Sequence, residues 1–139
     1  MSAATTDLLH EAVRAQQTGE FPKARALYEQ ILELQPNHAD ANHNLGVLQT
    51  ETGKSEQALP LFEAAIEANP EVMQYWVSYV RTLLFLNRIE AALEVFKQAK
   101  TLDLDNGTLL KLEQYIKAPK NSSRLLMMEP TGQELLDIS

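Results

Sequence analysis

One spacing constrains this chain more than any other feature. Gly19, Ala24, Tyr28 and Pro36 recur as Gly53, Ala58, Phe62 and Pro70, each pair 34 residues apart. A further step of 34 reaches Asn87, Ala92, Phe96 and Leu104. The third copy keeps the small residue and the aromatic, loses the proline, and replaces glycine with asparagine, which also tolerates a left-handed backbone. A fixed period of this length marks a stacked array. Each unit is too small to bury its own apolar face and must pack on the next. Three copies follow, 5–38, 39–72 and 73–106.

Each copy reads as two helices, A and B. In the second copy, helix A covers about Ala39 to Glu51, and Gly53 ends it, as glycine does just past a helix. Ser55 is expected to cap helix B. Helix B then carries Ala58, Leu59, Phe62, Ala65 and Ile66 at helical spacing, and Pro70 prevents its continuation. Pro60 falls about one turn into helix B and is expected to bend its start. Ala24, Ala58 and Ala92 let helices approach closely, as do Ala12 and Gly46 on the A helices. Val80 holds the corresponding position of the third copy, where it is expected to push the two helices apart. Tyr28, Phe62 and Phe96 fill the space between neighbouring hairpins. Trp76 and Tyr79, at helical spacing, are expected to pack.

This series of small residue, aromatic and proline in helix B, with Leu45-Gly46 and Trp76 in helix A, resembles the tetratricopeptide repeat. The resemblance covers residues 5–106. It implies an all-α fold, a right-handed superhelical solenoid of three helix-turn-helix repeats. "NGTLLKLEQYIKA" follows, with Leu109, Leu110, Leu112, Tyr115 and Ile116 expected on one face. It reads as a capping helix at about 107–118, completing a repeat domain over 1–118. Residues 119–139 read as a flexible tail or linker. Within them Leu125, Leu126, Met127 and Met128 form an apolar cluster that could dock in a groove, of this chain or of a second copy, giving self-association.

The resemblance also implies a function: a non-catalytic interaction module that holds a peptide or protein segment in a concave groove lined by the A helices. By the family's pattern the groove residues are Thr6, Leu9, Val13 and Gln17 in the first copy. The second gives Asp40, His43, Val47 and Thr50, and the third Gln74, Val77, Arg81 and Leu84. Some family members clamp acidic C-terminal tails with Lys and Asn, then Asn, then Lys and Arg. Here those positions hold Leu9 and Val13, Asn44, and Gln74 and Ser78, so only the central asparagine agrees. A partner with apolar anchors is therefore expected rather than an acidic tail.

Other chemistries find little support. The chain has no cysteine, and its five glycines are too scattered to cradle a phosphate. No Gly-x-Ser-x-Gly turn occurs. Carboxylates such as Glu63 and Glu67 fall at i,i+4 on a helix face, where solvation is the ordinary role. His38, Asp40 and His43 lie within six residues, but His38 and His43 diverge by about 140° on a helix, and two ligands make a poor zinc site. No catalytic residue, metal or cofactor is expected. The formal net charge of −7 opposes nucleic-acid binding. No apolar run approaches the roughly 20 residues that a membrane span needs, so membrane insertion is not expected. The N-terminus has no basic region leading into an apolar run, and a cytoplasmic location is expected.

A second resemblance concerns a larger context. "ARALYEQILELQPNHADANHNLGVLQ" and "NPEVMQYWVSYVRTLLFLNRIEAALEVFKQAK" are similar to the N-terminal repeats of bacterial transferases. These include glycosyltransferases related to protein O-GlcNAc transferase, and sulfotransferase fusions. The alternative it implies is a partner- or substrate-recruiting region whose chemistry lies elsewhere.

Overall fold

The computed structural model describes residues 3–102 and 106–117. Among these described residues seven helices run in order: α1 (Ala3–Gln17), α2 (Phe21–Leu34), α3 (Ala39–Glu51), α4 (Ser55–Ala68), α5 (Met73–Phe85), α6 (Ile89–Lys100) and α7 (Asn106–Lys117). The described residues hold no strand, and the fold is an all-α solenoid. Helices α1 and α2, α3 and α4, and α5 and α6 form three hairpins, and α7 packs on α5 and α6. Residues 118–139, with the apolar cluster at 125–128, lie outside the described residues.

The hairpin turns are the same structure made three times. Gly19 and Gly53 have φ of 83° and 80°, and Asn87 takes the same left-handed conformation at 60°. In each turn the residue after this one donates its N–H five residues back: Glu20 to Ala15, Lys54 to Gln49 and Arg88 to Leu83, at 2.7–2.8 Å. The left-handed residue itself donates three residues back, to Gln16, Thr50 and Leu84. This pair of bonds satisfies helix-end carbonyls that would otherwise be orphaned. Helix α4 begins at Ser55, with Lys54 at its cap position. The expected serine cap is therefore replaced: the tight turn already places Lys54 there, and Ser55 is buried inside the first turn. Pro60 lies within α4 on its exposed face, and the helix continues through it.

The repeated small and aromatic residues form the interior. Ala24, Ala58 and Ala92 have no exposed surface, and Tyr28, Phe62 and Phe96 are buried. Each such aromatic contributes about 1.5–3 kcal/mol over leaving it in water. Gly46 sits hard against one of them: a Cβ placed there would meet Phe62 Cε1 at 2.5 Å. Tyr28, with its ring buried, donates its hydroxyl to Gln16 Oε1 at 2.7 Å. Helix α7 buries Leu109, Leu112 and Ile116 in one cluster with Trp76, Val80, Leu84 and Phe96. Leu110, expected on the same face, is instead 58% exposed, because it stands about 100° around the helix from Leu109.

Between hairpins, α2 packs on α3 and α4 packs on α5. The A-type helices also touch in sequence, α1 with α3, α3 with α5 and α5 with α7. The A helices therefore form one continuous row through the array.

Candidate functional site

The A helices are tied together across repeats by polar side chains. Gln16 donates to Glu51, Tyr75 donates to Asp40, and His43 Nε2 lies 2.8 Å from Ser78 Oγ, each pair 35 residues apart. Two further bonds join α3 and α5, one each, to the end of the preceding repeat. Asn42 Nδ2 donates to Pro36 O at 3.1 Å, and Trp76 Nε1 donates to Pro70 O at 2.8 Å. Asn42 and Trp76 are 34 apart and chemically unlike, yet each supplies a side-chain N–H to the same place. Periodicity predicted that Trp76 packs, and it does. The donor role it shares with Asn42 needed the placement of the proline carbonyls.

Six of the twelve groove candidates are buried: Leu9, Val13, His43, Val47, Thr50 and Leu84. Their presentation to a ligand is corrected by what surrounds them. Leu9 and Val13 join the cluster around Tyr28 and Leu48, and Leu84 joins the cluster that α7 completes. Val47 packs with Ala58 and Phe62. Thr50 turns its hydroxyl back to Val47 O at 2.6 Å. The other six retain accessible surface. Gln17 is exposed, and Thr6, Asp40, Gln74, Val77 and Arg81 are half-buried. Gln74, Val77 and Arg81 follow one another at helical spacing on α5, so the third repeat presents the fullest strip.

The contacts of His43 resemble a catalytic arrangement. Its Nε2 faces Ser78 Oγ, and its Nδ1 lies 3.1 Å from Asn44 Oδ1. Its ring also stacks obliquely near Phe62 and Tyr75, with centroids 5.6 and 5.1 Å away. A serine, a histidine and an orienting amide in line would suit nucleophile activation. Two observations oppose that use. His43, Asn44 and Ser78 have no exposed surface, so no substrate reaches the hydroxyl. Burial also lowers the His43 pKa to about 4, which makes it a weak base. The network works instead as a polar bolt between α3 and α5.

His38 has a local role. It is the N-cap of α3, and its Nδ1 accepts the Ala41 N–H at 3.1 Å. That bond requires the neutral ring, and burial lowers the His38 pKa in the same sense. Asp40 lies in the first turn of α3, where a carboxylate complements the helix dipole. The four polar residues of "HADANH" thus go to a cap, a tie to Tyr75, a bond to Pro36 and a bolt to Ser78. Among the described residues no group of three His, Cys, Asp or Glu side chains is placed to hold a metal ion. No helix among them is long and apolar enough to cross a membrane.

Comparison with known proteins agrees with this architecture. Tetratricopeptide repeat profiles match residues 15–76 and residues 74–106. The chain belongs to the tetratricopeptide repeat family. It is also similar to the protein CTR9 homolog of Arabidopsis thaliana, 32% identical over 95 residues. That match covers 68% of this chain and 9% of the relative, so the chain spans only a small part of that protein's length. The array is a scaffold of the protein-interaction type.

Proposed function

We propose that the concave wall binds a protein or peptide segment through apolar anchors, with the half-buried strip of α5 as its principal contact. The observation that carries this reading is the continuous row of A helices, α1, α3 and α5, on which Gln74, Val77 and Arg81 keep accessible surface. Val77 supplies an apolar patch between polar neighbours, a pattern that suits an extended or helical segment with one hydrophobic anchor. Four of the five residues of the two-carboxylate clamp are replaced, by Leu9, Val13, Gln74 and Ser78, which argues against an acidic tail. The likeness of the repeats to those of glycosyltransferases and sulfotransferase fusions supports a second reading, in which this region recruits a substrate or partner for a larger enzyme. The matched relative, far longer than this chain, is consistent with repeats serving inside a larger protein.

The test is a peptide-display selection against the full chain, followed by affinity measurements on the selected peptides. Val77→Glu is expected to weaken them at least tenfold while leaving the melting temperature within a few degrees of wild type. Equal affinity for wild type and Val77→Glu would overturn the assignment, as would enrichment of acidic tails without apolar residues. Val47→Glu is unsuitable as a probe, because Val47 is core and its loss would unfold the hairpin.

A further inference from the structure

Where successive repeats meet, the junction at 35–40 lies beside the junction at 69–75, and a cleft of about 300 Å³ opens between them. Gln35, His38, Asp40, Asn69, Val72 and Tyr75 line it. That volume is at the small end for ligand sites, suited to one side chain rather than a cofactor. Its chemistry is lopsided. Asp40 supplies the one carboxylate, and no lysine or arginine contributes to the lining. Tyr75 donates its hydroxyl to Asp40 Oδ1, which fixes the carboxylate in place and leaves it further acceptor capacity, since a carboxylate offers about four lone-pair sites. Gln35 Nε2 leans toward Thr5 Oγ1 at 3.5 Å, and Asn69 Oδ1 accepts the Glu71 N–H at 3.4 Å, so two side-chain amides stand at the rim in defined orientations. Val72 and Ala39 provide apolar surface for an aliphatic stem.

We infer that this cleft receives a cationic side chain, arginine or lysine, from the partner segment. The inference deepens the proposed concave-wall function by naming a second, polar anchor point at the edge of that wall. A metal ion is a poorer occupant, because one carboxylate among amides does not make a ligand set. A single buried-rim ion pair with a fixed carboxylate favours a guanidinium, whose planar fork matches carboxylate geometry. The chain's net charge of −7 assists the approach of any cation.

The experiment titrates N-acetyl-arginine methylamide into the isotope-labelled full chain and follows backbone amide resonances by NMR. N-acetyl-norleucine methylamide serves as the uncharged control. Saturable shifts are expected in the millimolar range, centred on Gln35, Asp40, Asn69 and Tyr75, and absent with the control. Asp40→Asn, which keeps the shape and can still accept from Tyr75, should weaken the response at least tenfold. Gln35→Ala, which leaves the charge, should weaken it severalfold and provides a second variant should Asp40→Asn melt early. Equal titrations in wild type and Asp40→Asn would overturn the inference. So would shifts spread over exposed carboxylates such as Glu63 and Glu67, or none at all. The probe carries no apolar anchor, so its failure leaves the selected-peptide result intact, and loss of peptide binding in Val77→Glu leaves this one intact.

Discussion

The second and third hairpins follow the same register, yet they are packed differently. In the second, Gly46 lets α3 approach α4 until Phe62 leaves no room for a methyl group. In the third, Val80 occupies the equivalent position, is fully buried, and α5 contacts α6 less extensively than α3 contacts α4. The first hairpin, with Ala12 there, falls between them. The extent of contact therefore follows the size of one side chain per repeat, as the sequence predicts for Val80. The turns do not vary in step: all three keep the left-handed residue and both of its hydrogen bonds. Hairpin closure and hairpin width are set by different residues, so one can be altered without the other.

The sharpest way to break this comparison is to give the second hairpin the third one's residue. Gly46→Val is expected to cost about 3 kcal/mol, the upper part of the range for overpacking, read as a fall in the urea unfolding midpoint. Adding Phe62→Leu should recover part of that loss. A cost below about 1 kcal/mol would mean that Phe62 yields easily and that width is set elsewhere.

The bolt between the two hairpins gives the next effect. The His43 pKa is lowered from an ordinary 6.5 to about 4 by burial. The folded state therefore binds its proton less readily than the unfolded chain. The stability tied to neutral His43 is fully present above pH 6.5, falls as the pH drops below it, and levels off near pH 4. At pH 5 the loss is about 2 kcal/mol by linkage. His38, lowered in the same direction, adds to it. Glu51, raised by its own burial, acts in the opposite sense in the carboxylate range. Urea midpoints measured from pH 7 to pH 5 should fall steeply in wild type and less steeply in His43→Gln. Parallel slopes would show that the histidine ring is not held neutral.

The turns themselves predict smaller changes. Gly53→Ala meets no atom within 4 Å, so its cost is the left-handed backbone alone, about 1 kcal/mol. Asn87→Gly, which relieves the one non-glycine residue in that conformation among the described residues, should stabilise the third hairpin by about 0.5 kcal/mol. Thermal melts of the two variants should therefore move in opposite directions. If both fall, Asn87 is stabilised by more than its backbone.

Much of the architecture was legible because its signal is a repeat. Tyr28, Phe62 and Phe96 recur 34 residues apart and all three are buried, and three agreeing copies outweigh one ambiguous helix. The candidate site was legible only in part. Leu84 has the groove pattern but is covered by α7, whose packing face could not be fixed to better than one residue, as the exposure of Leu110 shows. His43 has a groove position but is bound to Ser78 of the next repeat. Projection from a single helix shows which way a residue points. It does not show what the adjacent repeat brings up against it.

The pair of donors Asn42 and Trp76 bears on the order in which the array would unravel. Each stitches the start of a repeat to the proline carbonyl before it. At the same phase, one repeat further on, stands Leu110, an exposed side chain with no N–H to give. Among the described residues, Leu109, Leu112 and Ile116 supply the apolar contact between the third repeat and α7. Opening that begins at α7 would uncover Leu84 and Val80 first and leave the two stitched joints closed.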